Sequence, residues 1–290
     1  MFHEGNAFFK QGNFDKAKDV YQTAMNLLQL SSQNTEKMQT AHALSNLGLL
    51  QFADRRIQEA KALHQEALEL RKSLESTHGL SEDIEYLAWD MNREFTSTHH
   101  LKRNHSHLIS RLQQHDSIDA LISDSLNNLG GCLELAGDYE EALQMYSEAF
   151  ELRRVLFGDA NVLTAEVMQN IATVQSALGN LKQAAETLES ALKIYETHYG
   201  ADSAESAVIL NNLGVVKTQI GMIHDALDCL QKSYDIRVRE LGDNHPLTMN
   251  SKQNLQYTQN KMTSTLVAAE TPPAESTEGN FTEEKYPFCK

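Results

Sequence analysis

The sequence predicts an all-α solenoid of stacked helical hairpins, wound as a right-handed superhelix and ending in a disordered tail. Three observations predict it. The chain matches itself at a step of 42 residues. Of its 4 prolines, Pro272, Pro273 and Pro287 lie near the C-terminus, so the body can carry long uninterrupted helices. Aromatic residues are 7% of the chain, low for a β-sandwich or barrel, while the good helix formers Ala, Leu, Gln, Glu and Lys abound.

The step is clearest in the second half. Asn128-Leu129-Gly130 aligns with Asn170-Ile171-Ala172, Asn212-Leu213-Gly214 and Asn254-Leu255. The same shift carries Gly137 to Gly179 and Gly221, Ala142 to Ala184 and Ala226, and Gly158 to Gly200 and Gly242. Each unit splits into a helix A and a helix B. In 118–160, helix A precedes the turn Gly137-Asp138-Tyr139 and helix B follows it. Apolar residues recur at helical spacing in both: Leu126, Leu129 and Leu133, then Leu143, Tyr146 and Phe150. Gly137 suits the left-handed conformation that ends a helix. The small residues Gly130, Ala142 and Ala149 let neighbouring helices approach.

In chain order the predicted units are 1–38, 39–80, 81–117, 118–160, 161–202 and 203–244, then a capping helix over 245–262. In the first, Met1 falls where helix A should already be one turn old. The unit 81–117 is divergent, because Asn46 and Asn128 are 82 residues apart, two short of two repeats. Ser81-Glu82-Asp83 looks like a helix start and Thr96-Ser97-Thr98 replaces the glycine turn. After 262 the chain turns polar around Thr271-Pro272-Pro273, and 263–290 reads as a disordered acidic tail.

Leu129-Gly130-x-x-Leu133 followed by Ala142-x-x-x-Tyr146 and Ala149 resembles the tetratricopeptide repeat (TPR) consensus. The usual period is 34, so each unit here gains eight residues. The link Leu241-Gly242-Asp243-Asn244-His245-Pro246 is similar to that of kinesin light chains and nephrocystin-3-type proteins. The resemblance implies a non-enzymatic scaffold or adaptor that holds a partner peptide or helix in a groove lined by A helices. The alternative is a structural subunit that stacks or dimerises through the array and takes no groove ligand.

That resemblance places one register in the groove: Asn46, Asn128, Asn170, Asn212 and Asn254, flanked by Asn127, Gln169 and Asn211. An amide both donates and accepts, so a row of them suits the backbone of an extended peptide. Almost no Lys or Arg accompanies the row, and Lys217 lies beside it. The two-carboxylate clamp of TPR co-chaperones, whose asparagine positions are matched by Asn6 and Asn46, therefore lacks its basic residues. A neutral or basic peptide segment is the expected ligand.

The formal charge is −15, from 40 acidic and 25 basic side chains, which argues against nucleic acid or an anionic membrane as partner. Three cysteines without a CxxC pair, and no signal-like N-terminus, fit a reducing, cytoplasmic setting. His99, His100, His105, His107 and His115 cluster, but no two stand four apart on a helix, so no metal is expected. Lys102, Arg103 and Arg111 within that cluster form a candidate basic docking patch. With no phosphate loop, nucleotide fingerprint or nucleophile elbow, neither catalysis nor a cofactor is expected.

Overall fold

The computed structural model describes residues 4–5, 7–8, 13–28, 34–75 and 118–270. Among them run ten long helices: α1 (Phe14–Leu28), α2 (Asn34–Ala53), α3 (Ile57–Glu75), α4 (Ile118–Ala136), α5 (Tyr139–Phe157), α6 (Val162–Ala177), α7 (Leu181–Tyr199), α8 (Ala204–Ile220), α9 (Ile223–Leu241) and α10 (Pro246–Glu270). The all-α fold follows the predicted hairpins. The chain divides into two compact units, 1–167 and 168–290, with the border inside α6.

The A helices α4, α6 and α8 end on glycines with positive φ: Gly137 at 87°, Gly179 at 81° and Gly221 at 94°. In the α2–α3 hairpin Arg55 holds this place at 60° without being glycine. The next amide reaches back over the turn, as in Asp138 N–H to Leu133 O (2.9 Å) and Arg56 N–H to Gln51 O (2.8 Å), closing carbonyls the helix leaves open. The links from B to A are fixed by side chains. Ser203 Oγ accepts from Ser206 N–H, Thr164 Oγ1 donates to Gly158 O, and Ser206 Oγ donates to Gly200 O.

Inside each hairpin a small residue of helix A lies under a large one of helix B. A Cβ on Gly48 would meet the His64 ring at 2.7 Å, one on Gly130 the Tyr146 ring at 2.7 Å, and one on Gly214 the Leu230 side chain at 2.5 Å. These glycines set the interhelical distance.

In the N-terminal unit α2 packs on α1, α3 and α4, α3 on α4, and α4 on α5. Met38, Leu74 and Leu121 form one apolar cluster, so α2, α3 and α4 share a core. A divergent hairpin was expected between the 39–80 and 118–160 units. The segment 81–117 lies outside the described residues, and α3 packs directly on α4 as one repeat does on the next. In the C-terminal unit α8 packs on α7, α9 and α10, and α9 on α10. The last helix does not stop at 262. It continues to Glu270, so 263–270 are helical and only 271–290 of the expected tail lie outside the described residues.

Successive hairpins are joined by a device the periodicity did not reveal. Late in helix B a buried arginine donates to a first-turn carbonyl of the following helix A. Arg71 Nη1 reaches Leu121 O at 3.1 Å, Arg153 Nη1 reaches Leu163 O at 2.8 Å, and Arg237 Nη1 reaches Leu247 O at 2.9 Å. Charged groups flank the joint: Arg153 Nη2 also binds Asp124 Oδ1 at 2.8 Å, with both side chains buried. In α7 the register holds Tyr195.

Candidate functional site

Helix A places the asparagine register two residues before the small residue that lies under helix B, as Asn46, Asn128 and Asn212 precede Gly48, Gly130 and Gly214. A step of one residue turns a helix by about 100°. Adjacent amides such as Asn211 and Asn212 must therefore face different surroundings. Asn211 is buried and Asn212 half-buried, and Asn211 Nδ2 donates to Asn212 Oδ1 at 3.5 Å.

In the C-terminal unit Asn211 is buried. Its Oδ1 accepts from Asn254 Nδ2 at 3.1 Å and from Ser251 Oγ at 3.2 Å. Asn254 Nδ2 also reaches Asn250 Oδ1 at 3.4 Å. Thr218 and Thr258 hydroxyls meet at 2.9 Å, and Lys261 Nζ donates to Thr218 O at 2.8 Å. This polar seam ties α8 to α10, so Asn211 and Asn254 act within the array. Gln169, Asn170 and Asn212 remain half-buried at the face of their helices. Lys217 turns to Glu189 of α7 at 2.9 Å. The row formed by Gln169, Asn170, Thr173, Val208, Asn212 and Val215 is uncharged.

In the N-terminal unit Asn46 is buried and Asn127 is half-buried. Asn128 is 8% exposed, and its buried Nδ2 has no hydrogen-bond partner. One turn earlier Asp124 binds Arg153 through Oδ1, while its buried Oδ2 has no partner. Tyr146 Oη donates to Glu134 at 2.9 Å, and burial with that carboxylate beside it raises the phenol's pKa.

Lys102, Arg103 and Arg111 lie outside the described residues, as do the five clustered histidines. Among the described residues no group of three His, Cys, Asp or Glu could hold a metal ion. Burial pushes the Cys132 thiol up to about 12 against the pull of Lys61, and burial raises Cys229 as well. Both stay protonated near neutral pH, which leaves them poor nucleophiles. No helix among the described residues is long and apolar enough to cross a membrane.

The residues that sequence reasoning missed are Arg71, Arg153 and Arg237. Their signal was present: Leu70-Arg71, Leu152-Arg153 and Ile236-Arg237 share one register, interrupted by Ile194-Tyr195.

Helical hairpins locked by glycine turns and joined from B to A define a helical-repeat protein. Tetratricopeptide repeat models match residues 2–73, 121–197 and 206–247, and the chain belongs to the tetratricopeptide repeat family. No curated protein matches it. Solved structures do. BtubC (BKLC) from P. vanneervenii is 14% identical with a TM-score of 0.56, covering 94% of this chain and 99% of its own. The TPR-like repeats of a putative kinesin light chain from Podospora anserina are 12% identical with a TM-score of 0.54, covering 81% and 92%. A Rap protein complexed with Competence and Sporulation Factor is 15% identical with a TM-score of 0.52, covering 93% and 66%. At these identities the likeness is one of fold. TPR domains typically mediate protein–protein interaction and are usually non-catalytic.

Proposed function

We propose that this chain is a non-enzymatic scaffold whose A helices hold a neutral or basic extended segment of a partner protein, in the manner of the kinesin light chains it resembles. The observation that carries the reading is the uncharged row of half-buried amides on the C-terminal unit, Gln169, Asn170 and Asn212. Amides satisfy both the N–H and the C=O of a passing backbone. Lys217 is engaged by Glu189, so the row offers no free cation to a carboxylate. An acidic peptide would be desolvated there without compensation. A Rap protein of the same fold forms a complex with Competence and Sporulation Factor, a use of the fold that agrees with the reading. The free cysteines Cys132 and Cys229 fit a reducing, cytoplasmic setting.

The test compares two asparagine sets. Asn170→Ala with Asn212→Ala should lose captured partners, read by mass spectrometry, with an unchanged melting temperature. Asn211→Ala should instead lower the melting temperature, because it opens the seam to Asn254. A double variant that captures the same partners as the wild type refutes the proposal.

A second reading has its own observation. On α10 Met249 is 51% exposed and Tyr257 is 48% exposed, and apolar side chains of this size favour association of the array with itself. Light scattering across a concentration series decides it: a constant monomer mass removes this reading.

A further inference from the structure

Helix α2 is buried more completely than its described neighbours account for. Every residue from Thr40 to Gln51 is buried, on all sides of the helix. A helix at a protein surface keeps one wet face, so a helix buried all round is enclosed. The sequence agrees: no Lys, Arg, Asp or Glu stands between Lys37 and Asp54. Helix α8 gives the comparison. Both helices pack on the preceding helix B, on their own helix B and on the next helix A. On α8 the stripe Val208, Asn212 and Val215 is half-buried. The same register on α2 is His42, Asn46 and Leu49, and these are 6%, 2% and 6% exposed. Neighbours of the same kind thus leave this face partly open on one helix and covered on the other.

One stretch outside the described residues is anchored where it can supply the cover. Helix α3 runs back along α2, so its last residue, Glu75, lies at the end where α2 begins. Helix α4 starts there too, since Arg71 Nη1 of α3 holds Leu121 O at 3.1 Å. The 42 residues 76–117 therefore leave and rejoin the N-terminal unit at one end of the α2 stripe. The 20 residues of α2 run about 30 Å, a length that about ten extended residues match. The segment also carries Ile84, Leu87 and Met91 at helical spacing. Apolar side chains so arranged need a surface without charge, and α2 provides one. The tail 271–290 leaves instead from the C-terminal unit and is interrupted by Pro272, Pro273 and Pro287.

We propose that residues 76–117 dock on the stripe His42, Asn46 and Leu49 of α2 and seat Ile84, Leu87 and Met91 against it. The segment is tethered at both ends, so the contact is intramolecular and even a weak one stays occupied. Asn46 then meets the chain itself and not a partner. The N-terminal unit carries its own occupant on the face whose counterpart in α8 is half-open. This inference stands apart from the reading of the C-terminal unit and uses none of its amides.

The experiment uses the full chain with p-benzoylphenylalanine in place of Met91. Irradiation should cross-link that position to residues 39–50 of the same chain, read by mass spectrometry of the digest. Leu49→Arg sets a charge under the docked stripe. It should cut the cross-link and speed trypsin cleavage at Lys102, Arg103 and Arg111, each about tenfold, because cleavage follows release of the segment. Leu87→Asp should do the same without altering α2, and so reads the contact even where Leu49→Arg fails to fold. Cross-links from position 91 that fall on α10, on 271–290 or on a second copy overturn the inference, as does the absence of any cross-link. Trypsin cleavage of Leu87→Asp at the wild-type rate overturns it equally.

Discussion

His64 shows what a single position can do. It sits where Tyr146 and Leu230 sit in their hairpins, pressed on Gly48 and almost wholly buried. Burial, with Arg71 adding its positive charge, lowers its pKa from 6.5 to about 3. The folded chain therefore keeps His64 neutral while the unfolded chain protonates it. Its contribution to stability is fully present above pH 6.5 and is lost as pH falls towards 3. Between pH 6.5 and 4.5 this group should account for a loss of about 2 kcal/mol in urea unfolding. His64→Leu, which copies the Leu230 of the later hairpin, should flatten that slope. A variant with the wild-type slope would show that other groups carry it. At the neighbouring register Gly130→Ala should cost about 1–3 kcal/mol, because the added methyl displaces the Tyr146 ring.

At the scale of the element, the hairpin turn and the joint between hairpins call for separate tests. Arg55 adopts a φ of 60° where its counterparts are glycines. Arg55→Gly should raise stability by roughly 1 kcal/mol, read as a higher melting temperature, because the strained conformation suits glycine. Arg153→Met would leave the buried Asp124 carboxylate unpaired and should cost about 3–5 kcal/mol. Adding Asp124→Leu should restore much of that loss. An Arg153→Met protein as stable as wild type would mean that the joint is incidental. The turns were legible in the sequence because positive φ selects glycine and leaves a periodic trace. The joints were not, because Tyr195 breaks the arginine series and the partner is a main-chain carbonyl, which carries no side-chain signature. The end of α10 was missed because Thr263–Glu270 lacks an apolar period, although Leu266, Ala268 and Ala269 favour helix.

For the whole molecule the 42-residue step carried the architecture, and the spacing of Asn46 and Asn128 marked its ambiguity. A gap of 82 residues reads equally as two short repeats or as one repeat with a long insertion. The asparagine register was also legible as a row, but which amide turns inward was not. Asn211 and Asn254 enter the seam between α8 and α10 while Asn212 stays half-buried; Asn212 and Asn254 share one helical phase, so the choice is set by the partners each meets, Asn254 and Ser251 closing on Asn211. The charge of −15 belongs to this scale too. Self-repulsion should keep the chain apart at low salt, and any association through Met249 and Tyr257 should strengthen as salt screens it.

The arginine grips an oxygen that every residue type possesses. A seam of that kind is indifferent to which hairpin comes next, and even to how much chain intervenes: Arg71 and Leu121 are fifty positions apart, Arg153 and Leu163 only ten, yet the contact is the same. Modules fastened this way can be duplicated, deleted or interrupted without redesigning the surfaces that meet, so the exposed faces are left at liberty to diverge.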